Sequence, residues 1–80
     1  MVNNMEPLPP WERDEFLLSE APIVILKLWG IHVRLSTVRQ WEKRGLLAVG
    51  GQTRATLVTV SRAGRRSVRM ADLKAFMEAT

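Results

Sequence analysis

The sequence predicts a mainly α domain with one small β-hairpin (α+β), in the order helix, turn, helix, hairpin, helix. Three observations predict it. In "TVRQWEKRGLL" (37–47) Val38 and Trp41 stand three apart on one helical face, and Gly45 offers a stop. "TLVTVS" and "RSVRM" flank "RAGR", a β-branched run, a turn and a return. "ADLKAFMEA" sets Leu73, Phe76 and Met77 at i, i+3 and i+4.

At the N-terminus, "NNMEPLPP" has three prolines and little to pack, so it reads as an extended arm. "WERDEFLL" (11–18) begins a short helical turn after Pro10, with Glu12, Asp14 and Glu15 suited to a helix N-terminus. Residues 1–16 are therefore taken as an acidic, proline-rich arm, and 17–80 as the folded domain. Ser19 looks like an N-cap for a helix running to Trp29 and stopping at Gly30, with Pro22 tolerated in its first turn. "PIVILKLWGI" is also β-branched and apolar on nearly all sides, so for residues 21–31 a buried strand stands as the alternative. "IHVRL" is a turn, and Leu35 or Ser36 opens the next helix, whose outer faces carry Arg39, Gln40, Lys43 and Arg44. Leu46 and Leu47 are expected to re-enter the core, and "AVGGQTRA" to form a loop made flexible by Gly50 and Gly51. The hairpin takes Thr56–Ser61 as its first strand, Arg62–Arg65 as a turn in which Gly64 takes positive φ, and Arg66–Met70 as its return. A helix over Ala71–Ala79 closes the chain, with Asp72 in its first turn. Trp11, Trp29 and Trp41 are read as core or lid.

Composition removes whole classes of function. The 80 residues hold no cysteine and one histidine, which excludes disulfides, thiol nucleophiles and any ordinary zinc site. Ser19, Ser36, Ser61 and Ser67 have no histidine in a triad arrangement, the carboxylates are not gathered, and no glycine-rich phosphate loop occurs. No catalytic residue, metal or cofactor is expected. "APIVILKLWGI" carries Lys27 and is far shorter than the roughly 20 residues of a membrane span. The N-terminus lacks a basic n-region and an apolar h-region, so the cytoplasm is the expected location.

Charge is distributed unevenly. Residues 1–30 hold two basic against five acidic side chains, while residues 31–80 hold ten basic against three acidic. Such asymmetry points the second part toward a polyanion. Arginine, glutamine, lysine and small hydroxyls are the side chains that reach base edges or hold phosphates, and an α-helix fits the major groove of B-DNA. Ser36, Thr37, Arg39, Gln40, Lys43 and Arg44 are thus candidate DNA contacts from a recognition helix. Arg62, Arg65 and Arg66 are candidates from an arginine-tipped hairpin that could straddle the backbone or enter the minor groove. Arg34 and Arg54 are secondary candidates. The competing reading of Arg39 is an ion pair with Glu42 or Glu78.

"TVRQWEKRGLL" resembles the T-V-R-x-W-x-x-x-G-x-L signature of winged helix-turn-helix domains in the MerR-like superfamily. "RRSVRMADLKAFM" is similar to their closing wing strand and D-L-x-x-F helix. The small excisionases, recombination directionality factors of temperate phages and integrative elements, are the nearest match, over roughly residues 17–78. "WGIHVRLS" is about two residues longer than the usual turn, and "EAPIVILKLW" lacks the usual E-x-A. The resemblance implies a nucleoid-associated DNA-binding protein whose copies bind side by side, bend double-stranded DNA and direct an integrase or other recombinase. Trp11 and Phe16 would then be candidates for the protein contact. A small transcriptional regulator on the same fold, and a protein-binding adaptor on it, are the alternatives.

Overall fold

The computed structural model describes residues 8–47, 51 and 54–80. Residues 3–7 of the expected arm and Gly50 of the expected loop lie outside the described residues, as does the side chain of Leu47. A 3-10 turn at Pro10–Glu12 leads to strand β1 (Glu15–Leu17) and a second 3-10 turn at Leu18–Glu20. Helices α1 (Ala21–Trp29) and α2 (Leu35–Lys43) come next, then β2 (Leu46–Leu47), β3 (Arg54–Ala55), β4 (Val60–Arg62), β5 (Arg65–Arg69) and α3 (Met70–Ala79). Strands β1, β5 and β4 form an antiparallel sheet in that order, and β2 pairs with β3. The domain is α+β, and among the described residues no helix is long and apolar enough to cross a membrane.

Residues 21–29 are helical, which decides between the two readings of that stretch. Ala21, Val24 and Ile25 are buried at helical spacing, Pro22 lies in the first turn, and Gly30 takes φ 71° at the stop. Ser19 is not the N-cap: it falls in the preceding 3-10 turn, and the cap position is Glu20. The Glu20 carboxylate instead accepts a hydrogen bond from the Leu17 backbone N–H at 2.9 Å. This is the tie that lets the chain turn directly from β1 into α1.

Helices α2 and α3 keep their predicted stripes. Val38 and Trp41 are buried on α2, Leu73 and Phe76 on α3, and Met77 is half-buried beside them. The Trp41 and Phe76 rings lie 5.2 Å apart, tilted by 36°, a spacing at which aromatic pairs add to simple burial. Trp11 and Trp29 pack against the same core, and the Lys27 ammonium sits 5.0 Å from the Trp11 ring centroid.

The N-terminal segment departs most from expectation. Residues 15–17 form a strand rather than continuing a helical turn, so the boundary expected between 16 and 17 falls inside β1. Phe16 stands opposite Val68 and both are buried, while the Met70 N–H donates to the Asp14 carbonyl at 2.7 Å. A strand here satisfies the edge of β5 and supplies Phe16 to the core, and the 3-10 turn that follows adds Leu18.

The hairpin is shorter than the β-branched run suggested. Residues 56–59 do not pair in a sheet, because the Leu57 N–H is taken by the Trp41 carbonyl at 3.0 Å and its side chain is buried. Leu46 is 37% exposed instead of returning to the core, since β2 and β3 make a two-residue ladder at the rim. Arg62 pairs with Arg65, leaving a two-residue turn in which Ala63 (φ 50°) and Gly64 (φ 79°) are both left-handed. That is the type I′ pattern, which suits glycine at the second position and asparagine better than alanine at the first. Ala63→Asn is accordingly expected to stabilise the domain by about 0.5–1 kcal/mol, read as a raised midpoint in urea unfolding.

Candidate nucleic-acid interface

Helix α2 has one face in the core and the other in solvent, and this division positions the site. Ser36, Thr37, Arg39, Gln40, Lys43 and Arg44 are all exposed, with Arg44 just past the helix end as its C-cap. Arg34 is exposed at the N-cap. In the hairpin, Arg66 shares a sheet face with Val68 and Phe16, the face turned to the core, whereas Arg65 and Arg62 point to the other. Beyond Val68 that inner face runs out of core, and Arg66 meets α2 instead.

A groove of about 550 Å³ lies between α2 and the hairpin. Arg39 and Lys43 line it from the helix, Arg65 and Arg66 from β5, and Leu17, Leu18 and Ser19 from the β1 side. Among the described residues, four cations thus share one concavity with a single carboxylate, Glu42. Low-dielectric walls around like charges raise the local concentration of anions.

The arginines differ in what they already hold. Arg39 makes no ion pair among the described residues, since Glu42, one of the acids that could have competed for it, is bound by Arg66. Lys43 and Arg65 are likewise without a carboxylate partner among the described residues. Arg62 is engaged twice over: its Nε donates to Glu15 Oε2 at 3.1 Å and its Nη2 to Glu15 Oε1 at 3.2 Å. That forked hydrogen bond, reinforced by the carboxylate's charge, raises the Arg62 pKa further above its usual value. Arg54 donates from Nη1 to the Gly45 carbonyl at 3.2 Å and does not line the groove.

Of the predicted contacts, then, the groove gathers Arg39, Lys43, Arg65 and Arg66. Ser36, Thr37, Gln40 and Arg44 remain on the exposed surface of α2 and its end, and Arg62 belongs to the brace between β4 and β1. Sequence reasoning assigned no groove role to Glu42, Thr59 or Ser19. The signal was faint: Glu42 stands one residue from the buried Trp41 and three from Arg39, a place for a half-buried acid, but its partners come from 17 and 24 positions away.

Compared with protein-family models, curated proteins and solved structures, the chain matches none of them.

Proposed function

We propose that this protein binds double-stranded DNA as a winged helix-turn-helix module. The reading rests on one observation, the convergence of Arg39 and Lys43 of α2 with Arg65 and Arg66 of the hairpin on one groove. Helix α2 enters the major groove with Ser36, Thr37, Arg39 and Gln40 toward the base edges, and Lys43 and Arg44 toward phosphates. The β4–β5 turn lies along the neighbouring backbone, with Arg65 as its cation that has no carboxylate partner among the described residues. Arg62, held by Glu15, keeps the turn attached to β1. The register supports the reading: β5 pairs with β1 at Ser67–Arg69 and with β4 at Arg65–Ser67, so the hairpin extends past β1, and its Arg65 and Arg66 line the groove with α2.

The resemblance of "TVRQWEKRGLL" and "RRSVRMADLKAFM" to the excisionases supports a role as a directionality factor that bends DNA for a recombinase. A single small module buries only about 600–1,000 Å² on DNA, so cooperation between copies or with the recombinase supplies the remaining specificity.

Titration of a fluorescently labelled mixed-sequence duplex at 50 and 200 mM salt tests the binding. With about five or six phosphates contacted, affinity is expected to fall roughly 500- to 2,000-fold across that range. Arg39→Ala is expected to weaken binding to a cognate site roughly 5- to 150-fold if it reads a base, or to reduce the salt slope by about 1 if it holds a phosphate. Binding that is absent, or indifferent to both salt and Arg39, removes the DNA reading and directs the search to a protein partner.

A further inference from the structure

We propose that Glu42 is a positioning residue for phosphate contact: it holds Arg66 on the recognition helix and keeps that cation from the polyanion, lowering the groove's affinity. The inference rests on the DNA-binding reading above.

Among the described residues Glu42 is the one acidic side chain lining the groove, and its side chain is 13% exposed against 64% for Arg66. Thr59 Oγ1 donates to Glu42 Oε2 at 2.5 Å, and Arg66 Nη1 donates to the same oxygen. Arg66 Nη1 also lies 3.3 Å from Thr59 Oγ1, so three residues from α2, the segment before β4, and β5 form one network. The acid is held from two sides, while the arginine is mostly in water and tied at one end. A brace alone would require only an acceptor, and a neutral amide at position 42 could accept from both Thr59 and Arg66. The negative charge does something a brace does not. It neutralises one of the four cations lining the groove and repels any phosphate drawn in by Arg39, Lys43 and Arg65.

Two consequences separate this role from a structural one. Because Arg66 makes no phosphate contact while Glu42 holds it, Arg66→Ala is expected to leave the slope of log affinity against log salt unchanged. Arg65→Ala is expected to flatten that slope by about 0.9. Glu42→Gln keeps the shape and an acceptor but removes the charge that holds Arg66 against a competing phosphate, so Arg66 moves to phosphate, and the substitution is expected to steepen the slope by about 0.9 and raise affinity at 0.1 M salt roughly 3- to 10-fold.

The experiment measures these salt slopes on the full chain with a mixed-sequence duplex and, in parallel, with inorganic polyphosphate. Glu78→Gln, which makes the same change in net charge outside the groove, serves as the control and is expected to shift affinity less than about twofold. In an Arg66→Ala background the steepening of the slope by Glu42→Gln should vanish, leaving only the gain in affinity from the lost repulsion. The proposal is overturned if Glu42→Gln gives no steeper slope, if Glu78→Gln matches it, if the steepening survives Arg66→Ala, or if Arg66→Ala itself flattens the slope. Should the wild type ignore the duplex yet bind polyphosphate with the expected ladder of variants, the DNA reading fails and the role of Glu42 stands. Binding to neither probe overturns both.

Discussion

Phe16→Ala is expected to destabilise the domain by about 3–5 kcal/mol, the usual cost of removing a buried aromatic side chain and leaving a cavity. Phe16 is 2% exposed and packs in the cluster that includes Val24, Val38, Val68 and Phe76. For 80 residues total stability is of order 4–12 kcal/mol, so one substitution near the N-terminus would remove a large share of it. Urea unfolding followed by tryptophan fluorescence gives the number, and Asp14→Ala in the same segment is the comparison. Asp14 is exposed and joins the fold through its carbonyl, which the substitution leaves in place. A loss below about 1 kcal/mol for Phe16→Ala would mean that residue 16 belongs to an independent arm, as the prolines and acids before it suggest. The expected loss would make β1 an integral strand, and residues 15–17 a required part of any fragment intended to bind DNA.

This segment also shows what the sequence could and could not reveal. Helices α2 and α3 were legible because their information is local: Val38 and Trp41, or Leu73 and Phe76, declare an inner face within one turn. The turn at Ala63 and Gly64 was legible for the same reason, although Gly64 alone drew attention and Ala63 takes the second left-handed position. Strand β1 was not. Three residues, "EFL", become a strand only because β5 lies 50 positions further along and offers an unpaired edge, and no local pattern carries that fact. The run "TLVT" misled in the opposite direction. Its β-branched residues favour extended backbone, but the Leu57 N–H finds Trp41 rather than a neighbouring strand.

Charge behaved likewise. The exposed cations of α2 could be located from the helical period alone. Whether an arginine is free depends on which acids the fold brings to it, and Glu15 reaches Arg62 across 47 positions. A count of basic residues therefore overstates how many cations remain for a polyanion: Arg62 and Arg66 already hold carboxylates, while Arg39, Lys43 and Arg65 hold none among the described residues.

Helix α2 depends in turn on the glycine at its C-terminal end, and Gly45→Ala is expected to cost about 2–5 kcal/mol. Gly45 has φ +76°, and its N–H donates to the Gln40 carbonyl at 3.2 Å, closing the last turn of α2. A Cβ there would fall on the Ala55 carbonyl oxygen and stand 3.0 Å from both the Ala55 carbonyl carbon and Thr56 Cγ2. Two of those atoms are backbone, so no side-chain rotation relieves the overlap, and β3 would have to move off β2 where Leu46 faces Ala55. Gly30 supplies the control. It has nearly the same dihedral, φ +71°, but a Cβ added there meets no atom within 4 Å. Gly30→Ala should therefore cost only the left-handed penalty of roughly 1–2 kcal/mol, and the difference between the two variants in urea unfolding isolates the steric overlap. Because β2, the partner of the displaced strand, starts just past Arg44, Gly45→Ala should also weaken DNA binding at temperatures where the protein remains folded, while Gly30→Ala should not. Equal costs for both would show that Ala55 does not crowd Gly45 in solution, and that the end of α2 is set by its own hydrogen bonds.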